Sequence, residues 1–335
     1  MIPSILFSFV FQDQIQERTE CFQYGYFDNN NKPPPILVKH LHNDRITATA
    51  AQKLCLYKLF PIIFNDIIDQ MPSYIVYQLL REILDLVLSQ PFRKTWLPTL
   101  RELCKAFHQA MLDHFPNKVS PKIHFVSEYG EIINYFGPIV RQWCFRYESC
   151  HAYFKKLTMR TNNFKNIPKM LVTRYRLKQC LKFSSLSVTR LSQYTIGIKK
   201  VHNRCFNIPM KHVLLAHFGR VDFIHDFYQC RKLINGGIEY CQSAVYIIDL
   251  KPSHEQPIFA QIIFILKTNE KWWLLVDILD TEIYSEKLCA WKIQSIGRYS
   301  IIDPNEMKYF HKGLDIYVVN DQSYVSFTSR LTLYQ

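Results

Sequence analysis

Four ionisable residues near the middle of the chain lie three, four and seven positions apart and so share roughly one face of a helix: Arg141, Glu148, His151 and Lys155. Glu148 is the only carboxylate between Arg141 and Asp222, and a carboxylate in a strongly positive field stays ionised. It could therefore ligate a divalent metal ion or pair with neighbouring cations. A solvated salt-bridge ladder is the simpler interpretation, because a metal site needs partner carboxylates from elsewhere.

Residues 149 to 221 carry 15 Lys and Arg side chains and neither Asp nor Glu, whereas the rest of the chain has 26 cations and 28 acids. Aromatic residues are interleaved with these cations, and nucleic-acid surfaces combine phosphate-binding cations with rings that stack on bases. The alternative is that the rings belong to a core and the cations only solubilise the surface, which the absence of acids disfavours. The predicted nucleic-acid contacts are Arg146, Lys155, Lys156, Arg160, Lys165, Lys169, Arg174, Arg176, Lys178 and Lys182.

Several other chemistries are disfavoured by the sequence. It contains no glycine-rich phosphate loop of either common type and no G-x-S-x-G elbow. Cys144, Cys150 and His151 do not match the ligand spacing of a zinc site, and His40 and His42 have no third ligand nearby. The sequence therefore predicts no metal site and no cofactor, with a divalent metal required only if the protein is catalytic.

The ten cysteines include no C-x-x-C pair, which favours a reducing nuclear or cytoplasmic setting. The apolar residues 1–11 lack the charged start and cleavage site of a secretory signal and are too short to span a bilayer. We therefore expect a soluble protein that is not secreted and has no membrane partner. The sequence does not indicate an oligomeric state.

The predicted fold class is α+β, with a mainly helical N-terminal half followed by a small β-rich C-terminal domain. Helical periodicity predicts helices over 47–67, from the N-cap Ser73 to about 88, over 99–115, from Pro138 to about 160 and over 168–183. From residue 221 onward β-branched and aromatic alternation predicts strands, with hairpin turns at Gly236-Gly237, 268–270 and Asn320-Asp321. The prolines and asparagines of 28–35 predict a linker or exposed loop. We expect three parts: an N-terminal remnant with the proline-rich linker (1–36), a helical region that carries the basic segment (37–200) and the β-rich C-terminal domain (201–335).

Several strings resemble a known family. CFQYGYFDNNNKPPPI, RQWCFRYESCHAYFK and NNFKN, with WWLLVDILDTEIY further on, are similar to the C-terminal part of transposase-like proteins encoded by animal transposons and related to the CACTA type. The resemblance covers nearly the whole chain. The family pattern reads roughly W-C-M-R-[FY]-E-A-K-H, then [FY]-F-K and N-F-K-N. The matching residues are Trp143, Cys144, Arg146, Tyr147, Glu148, His151, Phe154, Lys155, Asn163, Phe164, Lys165 and Asn166.

The resemblance implies that residues 37–200 correspond to part of an RNase H-like helical region. In full-length relatives, two aspartates and a later acidic residue are expected to bind divalent metal for phosphodiester cleavage. The match begins after the region of the two aspartates, and Glu148 is the best-placed match for the later acid. This chain departs from the pattern at Ile123, Ser127, Glu128, Gly130 and Cys150. Together these differences imply that the chain is not an active transposase.

The leading hypothesis is therefore a transposase-derived, non-catalytic protein that binds nucleic acid, with DNA as the expected ligand. A second hypothesis is a metal-dependent nuclease or recombinase fragment, in which Glu148 would share a metal with carboxylates such as Asp66, Asp69 or Asp85. A third is a protein-interaction module that pairs through an exposed edge strand of its β-rich domain.

Overall fold

The structure is a computed structural model, and it describes residues 12–37, 46–89, 92–139, 145–161, 165–184, 194–219, 227–252, 255–268, 270–307 and 312–328. Within these ranges helices lie mainly in the N-terminal half and antiparallel strands in the C-terminal part, which confirms the α+β class. The α-helices are α1 (Gln12–Cys21), α2 (Tyr26–Asn29), α3 (Ala50–Ile63), α4 (Tyr74–Val87), α5 (Leu97–His114), α6 (Pro121–Ser127), α7 (Tyr129–Phe136), α8 (Phe145–Thr161), α9 (Ile167–Ser184) and α10 (Ile208–Phe218).

Helix α3 begins at a reciprocal cap. The backbone N–H of Gln52 donates to Thr49 Oγ1 over 3.3 Å, and the backbone N–H of Thr49 donates to Gln52 Oε1 over 3.0 Å. This arrangement satisfies two amide donors that the first turn of a helix leaves unpaired. The helix therefore starts at Ala50 within the predicted range 47–67.

The predicted N-cap role of Ser73 is wrong, although α4 starts at the next residue. Ser73 has helical dihedrals (φ −73°, ψ −2°) and makes no side-chain cap bond, and its hydroxyl is buried. The chain already turns before it, because the Tyr74 N–H donates to the carbonyl of Met71. The turn has replaced the extended conformation that an N-cap needs.

The remaining helices agree with the sequence to different degrees. Helix α5 extends from Leu97 to His114, close to the predicted 99–115, and α9 closely follows the predicted 168–183. Helices α6 and α7 were not predicted as separate elements, because seven or eight residues give too little periodicity to recognise. The helix predicted from Pro138 is described over α8, but its predicted start is wrong, because Pro138 itself is not in a helix. Residues 140–144 lie outside the described residues.

The strands form three antiparallel sheets. They are β1 (Tyr194–Ile196), β2 (Lys199–Lys200), β3 (Tyr228–Cys230), β4 (Lys232–Asn235), β5 (Ile238–Cys241), β6 (Val245–Lys251), β7 (Gln256–Thr268), β8 (Lys271–Ile278), β9 (Asp280–Ser285), β10 (Ala290–Gln294), β11 (Tyr299–Ile302), β12 (Tyr317–Val319) and β13 (Gln322–Val325). The largest sheet has the order β11-β8-β7-β3-β2, with β6 also paired to β7. The others are β1-β4-β5 and β12-β13-β10-β9.

Two of the predicted hairpin turns are confirmed by backbone geometry. Gly236 and Gly237 have φ values of 58° and 84° between β4 and β5, and Asn320 and Asp321 have 49° and 60° between β12 and β13. Two successive positive φ values suit tight antiparallel hairpins, and Gly, Asn and Asp tolerate them best. Strands β7 and β8 also pair across the predicted turn at 268–270, of which residue 269 lies outside the described residues.

One hydrophobic core is shared by the helical and the β-rich parts of the chain. Leu56 and Phe60 of α3 and Tyr77 of α4 are fully buried with Cys289 and Tyr317 from the C-terminal part. The opposite side of α4 packs on α5 and α7 in a second core, and further cores lie within the sheets. Helix α4 thus connects two cores and places its polar residues at the helix–sheet junction.

Residues 28–35, predicted as a linker or exposed loop, are irregular beyond Asn31 but are partly packed. Asp28 is buried, and the hydroxyl of Tyr317 donates to its Oδ2 over 2.6 Å. Asp315 Oδ2 accepts the backbone N–H groups of Phe27 and Asp28, each over 3.0 Å. A Cβ at Gly25 would lie 2.1 Å from the Cγ of Asp315, so this close approach requires glycine. The segment is therefore fastened to the C-terminal strands.

Strands β1 and β2 precede the expected boundary at residue 201, and α10 follows it. The short strand β2 nevertheless pairs with β3 in the largest sheet, with Lys199 opposite Gln229. Among the described helices, none combines the length and apolar character needed to cross a membrane.

Candidate nucleic-acid interface

The basic residues of the middle segment lie mainly on two helices that contact each other, α8 and α9, here called the α8–α9 pair. The ring of Phe154 on α8 meets the ring of Tyr175 on α9 edge to face, with centroids 5.4 Å apart. Tyr153 lies beside Phe154 at 5.7 Å. These rings are half-buried and form the aromatic contact that holds the two helices together.

A cation adds a second contact across the pair. The Nζ atom of Lys178 on α9 lies 3.8 Å from the ring centroid of Tyr153 on α8. An ammonium group at this distance is attracted by the negative face of the ring, by roughly 0.5 to 1 kcal/mol at an exposed site. Lys178 therefore both orients the helices and contributes positive charge to their surface.

The predicted nucleic-acid contacts are exposed wherever the structure describes their side chains. Eight of the ten are in this group: Lys155, Lys156, Arg160, Lys165, Lys169, Arg174, Arg176 and Lys178. Arg146 and Lys182 belong to α8 and α9, but their side chains lie outside the described residues. Seven of these eight lie on α8 and α9, and Lys165 lies in the turn before α9.

One row along α9 combines cations with an aromatic ring. Lys169, Arg176 and Phe183 are seven positions apart, a spacing that keeps them on nearly the same face of an α-helix. All three are exposed, and Phe183 leaves 67% of its surface accessible. Neighbours in this row are about 10 Å apart along the helix axis. The row offers two charges and a ring that can stack on an unpaired base.

The face of α8 predicted from Arg141, Glu148, His151 and Lys155 is only partly described. His151 and Lys155 are exposed one turn apart, as the spacing predicts. Arg141 and the side chain of Glu148 lie outside the described residues. The candidate catalytic role of Glu148 therefore stays a prediction.

The motif residues have different positions in the structure. Phe154 makes the aromatic contact across the helix pair, and His151 is exposed on α8. Asn166 has a positive φ of 53° and is exposed, and its carbonyl accepts the Met170 N–H at the start of α9 over 3.2 Å. Asparagine is among the residues that adopt this conformation most readily. Trp143, Cys144, Asn163 and Phe164 lie outside the described residues.

The three carboxylates considered as metal partners of Glu148 are paired with different cations. Asp66 binds Arg18, Asp69 binds Lys287, and Asp85 lies 3.5 Å from Arg81. The pKa of Asp66 is lowered, mainly because the Asp66 carboxylate accepts a hydrogen bond from Arg18. Across the described ranges, no group of three His, Cys, Asp or Glu side chains is arranged to hold a metal ion.

The cysteines whose surroundings are described behave mainly as core residues. Cys55, Cys104, Cys230, Cys241 and Cys289 are buried. Burial raises the pKa of Cys104 and that of Cys289 to about 11. These two thiols are therefore protonated at neutral pH, which makes them poor nucleophiles.

Sequence reasoning missed a cleft at the junction of helices and sheets. Its walls include Glu82 and Asp85 from α4, Tyr284 at the end of β9, and Trp291 from β10. These residues are too far apart in sequence to form a recognisable pattern. Only the fold brings them together.

Comparison of the chain with models of protein families, with curated proteins and with solved structures finds no match. The resemblance to transposase-like proteins therefore stays a prediction, which rests on the motif residues.

Proposed function

We propose that the protein binds nucleic acid, with DNA the expected ligand, through the α8–α9 pair, and that it does not cleave DNA on its own. The proposal rests on the exposure of seven Lys and Arg side chains on two adjoining helices and of Lys165 in the turn before α9. Duplex DNA carries one negative charge per about 1.7 Å of its axis, and α9 is about 27 Å long. A helix of this length can meet several phosphates at once.

The absence of acids makes this surface suited to a polyanion. No Asp or Glu occurs from residue 149 to residue 221, so no carboxylate from α9 can neutralise its cations. The half-buried rings of Phe154 and Tyr175 hold the helices together, which leaves Phe183 to contact bases. Phosphate contacts of this kind give affinity, whereas a stacking ring tolerates any base. We expect binding with little sequence preference.

We further propose that the chain derives from a transposase, on the strength of the motif around Trp143 and Glu148. The structure favours neither alternative function. Asp66, Asp69 and Asp85 pair with three different cations, which leaves a metal-dependent nuclease without described metal partners for Glu148. Among the edge strands, β2 and β12 have only two and three residues, and the six-residue β9 carries the charged side chains of Asp280 and Glu282. Short length and charged side chains both disfavour pairing with a strand of another chain.

The test is a salt titration of binding to a duplex DNA, followed by fluorescence anisotropy. We expect the logarithm of the association constant to fall linearly with the logarithm of salt concentration, by about 0.9 per phosphate contacted. Replacing Lys169 and Arg176 together by Gln should make the slope shallower by about 1.8. Wild-type binding without a salt slope would contradict the proposal.

A matched control removes the same charge elsewhere. Lys53 on α3 and Lys94 before α5 are exposed cations outside the α8–α9 pair. The variant with both Lys53→Gln and Lys94→Gln should keep the wild-type slope. If it loses as much slope as the α9 variant, binding depends on net charge and the α8–α9 pair is not the interface.

A further inference from the structure

A cleft of about 490 Å³ opens where α4 and α5 meet the strands β6, β9 and β10, and is here called the junction cleft. Its volume lies within the range of about 300 to 1,000 Å³ typical of small-ligand sites. Apolar side chains such as Leu103 and Ile247 line part of its wall. The cleft lies outside the α8–α9 pair and needs an explanation of its own.

Aromatic rings form a second part of the wall. Tyr284 and Trp291 meet edge to face with ring centroids 5.1 Å apart, and Phe327 lines the same cleft. All three rings are half-buried, so each keeps some surface accessible. Aromatic faces carry negative potential and attract cations.

Four carboxylates complete the lining, and two of them have cationic neighbours. Asp85 Oδ1 lies 3.5 Å from Arg81 Nε, and Glu255 Oε1 lies 2.8 Å from Arg93 Nη2. The other two, Glu82 and Glu286, pair with no Lys or Arg of the described chain. The adjacent Lys287 is bound to Asp69 instead. The cleft therefore carries an excess of negative charge.

The environment of Glu82 also favours a cationic ligand. Desolvation raises the pKa of Glu82, and the nearby charge of Glu286 raises it further. A positive group beside Glu82 and Glu286 would offset the repulsion between their negative charges. The cleft has no such group from its own described walls.

The floor of the cleft is held in place before any ligand arrives. Arg81 is 1% exposed, and its Nη2 donates to Ser326 Oγ over 3.0 Å and to the carbonyl of Phe327 over 3.4 Å. These bonds fix the backbone at Phe327, whose ring lines the cleft. A wall that is ordered in advance loses less entropy when it binds a ligand.

We infer that the junction cleft binds an organic cation, an alkylammonium or guanidinium group, between the Glu82 and Glu286 carboxylates and the rings of Tyr284 and Trp291. Aromatic rings combined with carboxylates are the chemistry that recognises such cations. A single quaternary ammonium group would fill only part of about 490 Å³. The cation therefore belongs to a larger molecule, either a free polyamine or a basic peptide side chain.

The primary test compares choline with its neutral isostere 3,3-dimethylbutan-1-ol. Binding is followed by NMR through the indole N–H signal of Trp291, which the Trp291→Phe variant assigns. We expect choline to shift this signal saturably and at least tenfold more tightly than the neutral alcohol, because the two differ mainly in charge. Equal affinity, or no shift with choline up to about 50 mM, would overturn the inference.

A charge variant then tests the named carboxylates. Glu82→Gln combined with Glu286→Gln should weaken choline binding at least tenfold. The control combines Glu102→Gln with Glu306→Gln, which removes two exposed carboxylates outside the cleft. It should bind choline as the wild type does. If the affinities of the two variants for choline differed by less than twofold, any choline binding would be assigned to another part of the protein. The choline comparison needs no variant, so it decides even if the cleft variant fails to fold.

Two further probes distinguish the sources of the cation. Spermidine represents free polyamines, and an acetylated, amidated Gly-Arg-Gly peptide represents a basic side chain. The probe that binds more tightly, and whose binding is lost in the variant with both Glu82→Gln and Glu286→Gln, identifies the source of the cation. None of these probes competes for the α8–α9 pair as a polyanion would, so the result is independent of DNA binding.

Discussion

The Nζ atom of Lys58 lies 2.6 Å from each carboxylate oxygen of Asp28. Lys58 belongs to α3, and Asp28 also accepts the hydroxyl of Tyr317 from β12 over 2.6 Å. Both members of the ion pair are largely buried, with 18% and 12% of their side chains exposed. One carboxylate thus joins the N-terminal segment, a helix and a C-terminal strand.

Asp28→Asn should destabilise the protein by about 2 to 3 kcal/mol. The substitution keeps the shape of the side chain but leaves the Lys58 ammonium in a largely buried position without its counter-charge, and it weakens the bond from Tyr317. The measurement is the free energy of unfolding from urea denaturation.

The control is Asp66→Asn, the same substitution in the more exposed pair with Arg18, where 54% of the Asp66 side chain is accessible. Its cost should stay below about 1 kcal/mol because solvent screens the interaction. Equal costs for the two variants would show that the buried position of Asp28 has no special importance.

The neighbouring Asp315 should make stability depend on pH in the opposite sense to an ordinary salt-bridged carboxylate. Burial is the main reason why the pKa of Asp315 is raised, and the charge of Asp28 adds to it. The folded state therefore holds the proton more tightly than the unfolded state. Its stabilising contribution is complete below the unfolded pKa of about 3.9 and is lost as pH rises through the higher folded value.

Asp315→Asn removes this titration. Measured against the wild type by urea denaturation, the variant should gain in relative stability between about pH 4 and pH 7. The amide oxygen can still accept the N–H groups of Phe27 and Asp28, so the local hydrogen bonds have a replacement acceptor. A stability difference that is constant with pH, or that moves against the variant, would refute the assigned sign.

The features that sequence reasoning recovers are those determined by neighbours in the chain. The turn at Asn320-Asp321 depends on two residues that tolerate positive φ, and the exposed cations of α9 follow from composition. The bond between Asp28 and Tyr317 joins residues 289 positions apart, and no local pattern indicates such a contact. Residues 28–35 were predicted as a linker or exposed loop from their prolines and asparagines. Such residues indicate an irregular backbone but do not indicate whether the segment is buried.

The candidate interface also combines features that neighbouring residues determine with contacts that only the fold determines. Its charges were predicted one by one, but the contact of Lys178 with the Tyr153 ring requires the relative placement of two helices. The junction cleft was missed because Glu82 and Trp291 come from distant segments with unrelated periodicities. The N-cap role predicted for Ser73 is wrong because the preceding turn at Met71 already determines the backbone conformation of Ser73.

Arg81 is the buried cation that connects α4 to the C-terminal part. Its guanidinium donates to the carbonyl of Lys58 over 3.3 Å as well as to Ser326 and Phe327. Arg81→Met keeps the apolar stem but leaves these acceptors and Asp85 without the guanidinium, so we expect a loss of about 3 kcal/mol in the free energy of unfolding.

Arg81→Lys should cost nearly as much, since an ammonium group cannot reproduce the planar fork that reaches several acceptors. The matched control is Arg101→Met, in a pair with Glu131 whose side chains are 38% and 48% exposed. We expect a cost below about 1 kcal/mol there. If Arg81→Met cost no more than the control, the Arg81 hydrogen bonds would contribute no net stability.

The contact between Phe154 and Tyr175 should control the local stability of the α8–α9 pair. Phe154→Ala removes the ring that meets Tyr175 at 5.4 Å. An aromatic pair contributes about 1 kcal/mol beyond its burial, so amide hydrogens of α8 and α9 should exchange at least about fivefold faster. Exchange in β7 and β8 should be unchanged, because the described contacts of Phe154 are with rings of the helix pair.

Phe183→Ala is the matched control, since it removes the same ring type from an exposed position on α9. It should leave amide exchange unchanged and still weaken binding to single-stranded DNA, because a stacking base contributes about 1 to 3 kcal/mol. Phe154→Ala should weaken binding with its salt slope retained, since all the cations remain. Equal exchange in the two variants would show that the Phe154–Tyr175 contact does not hold the helices together.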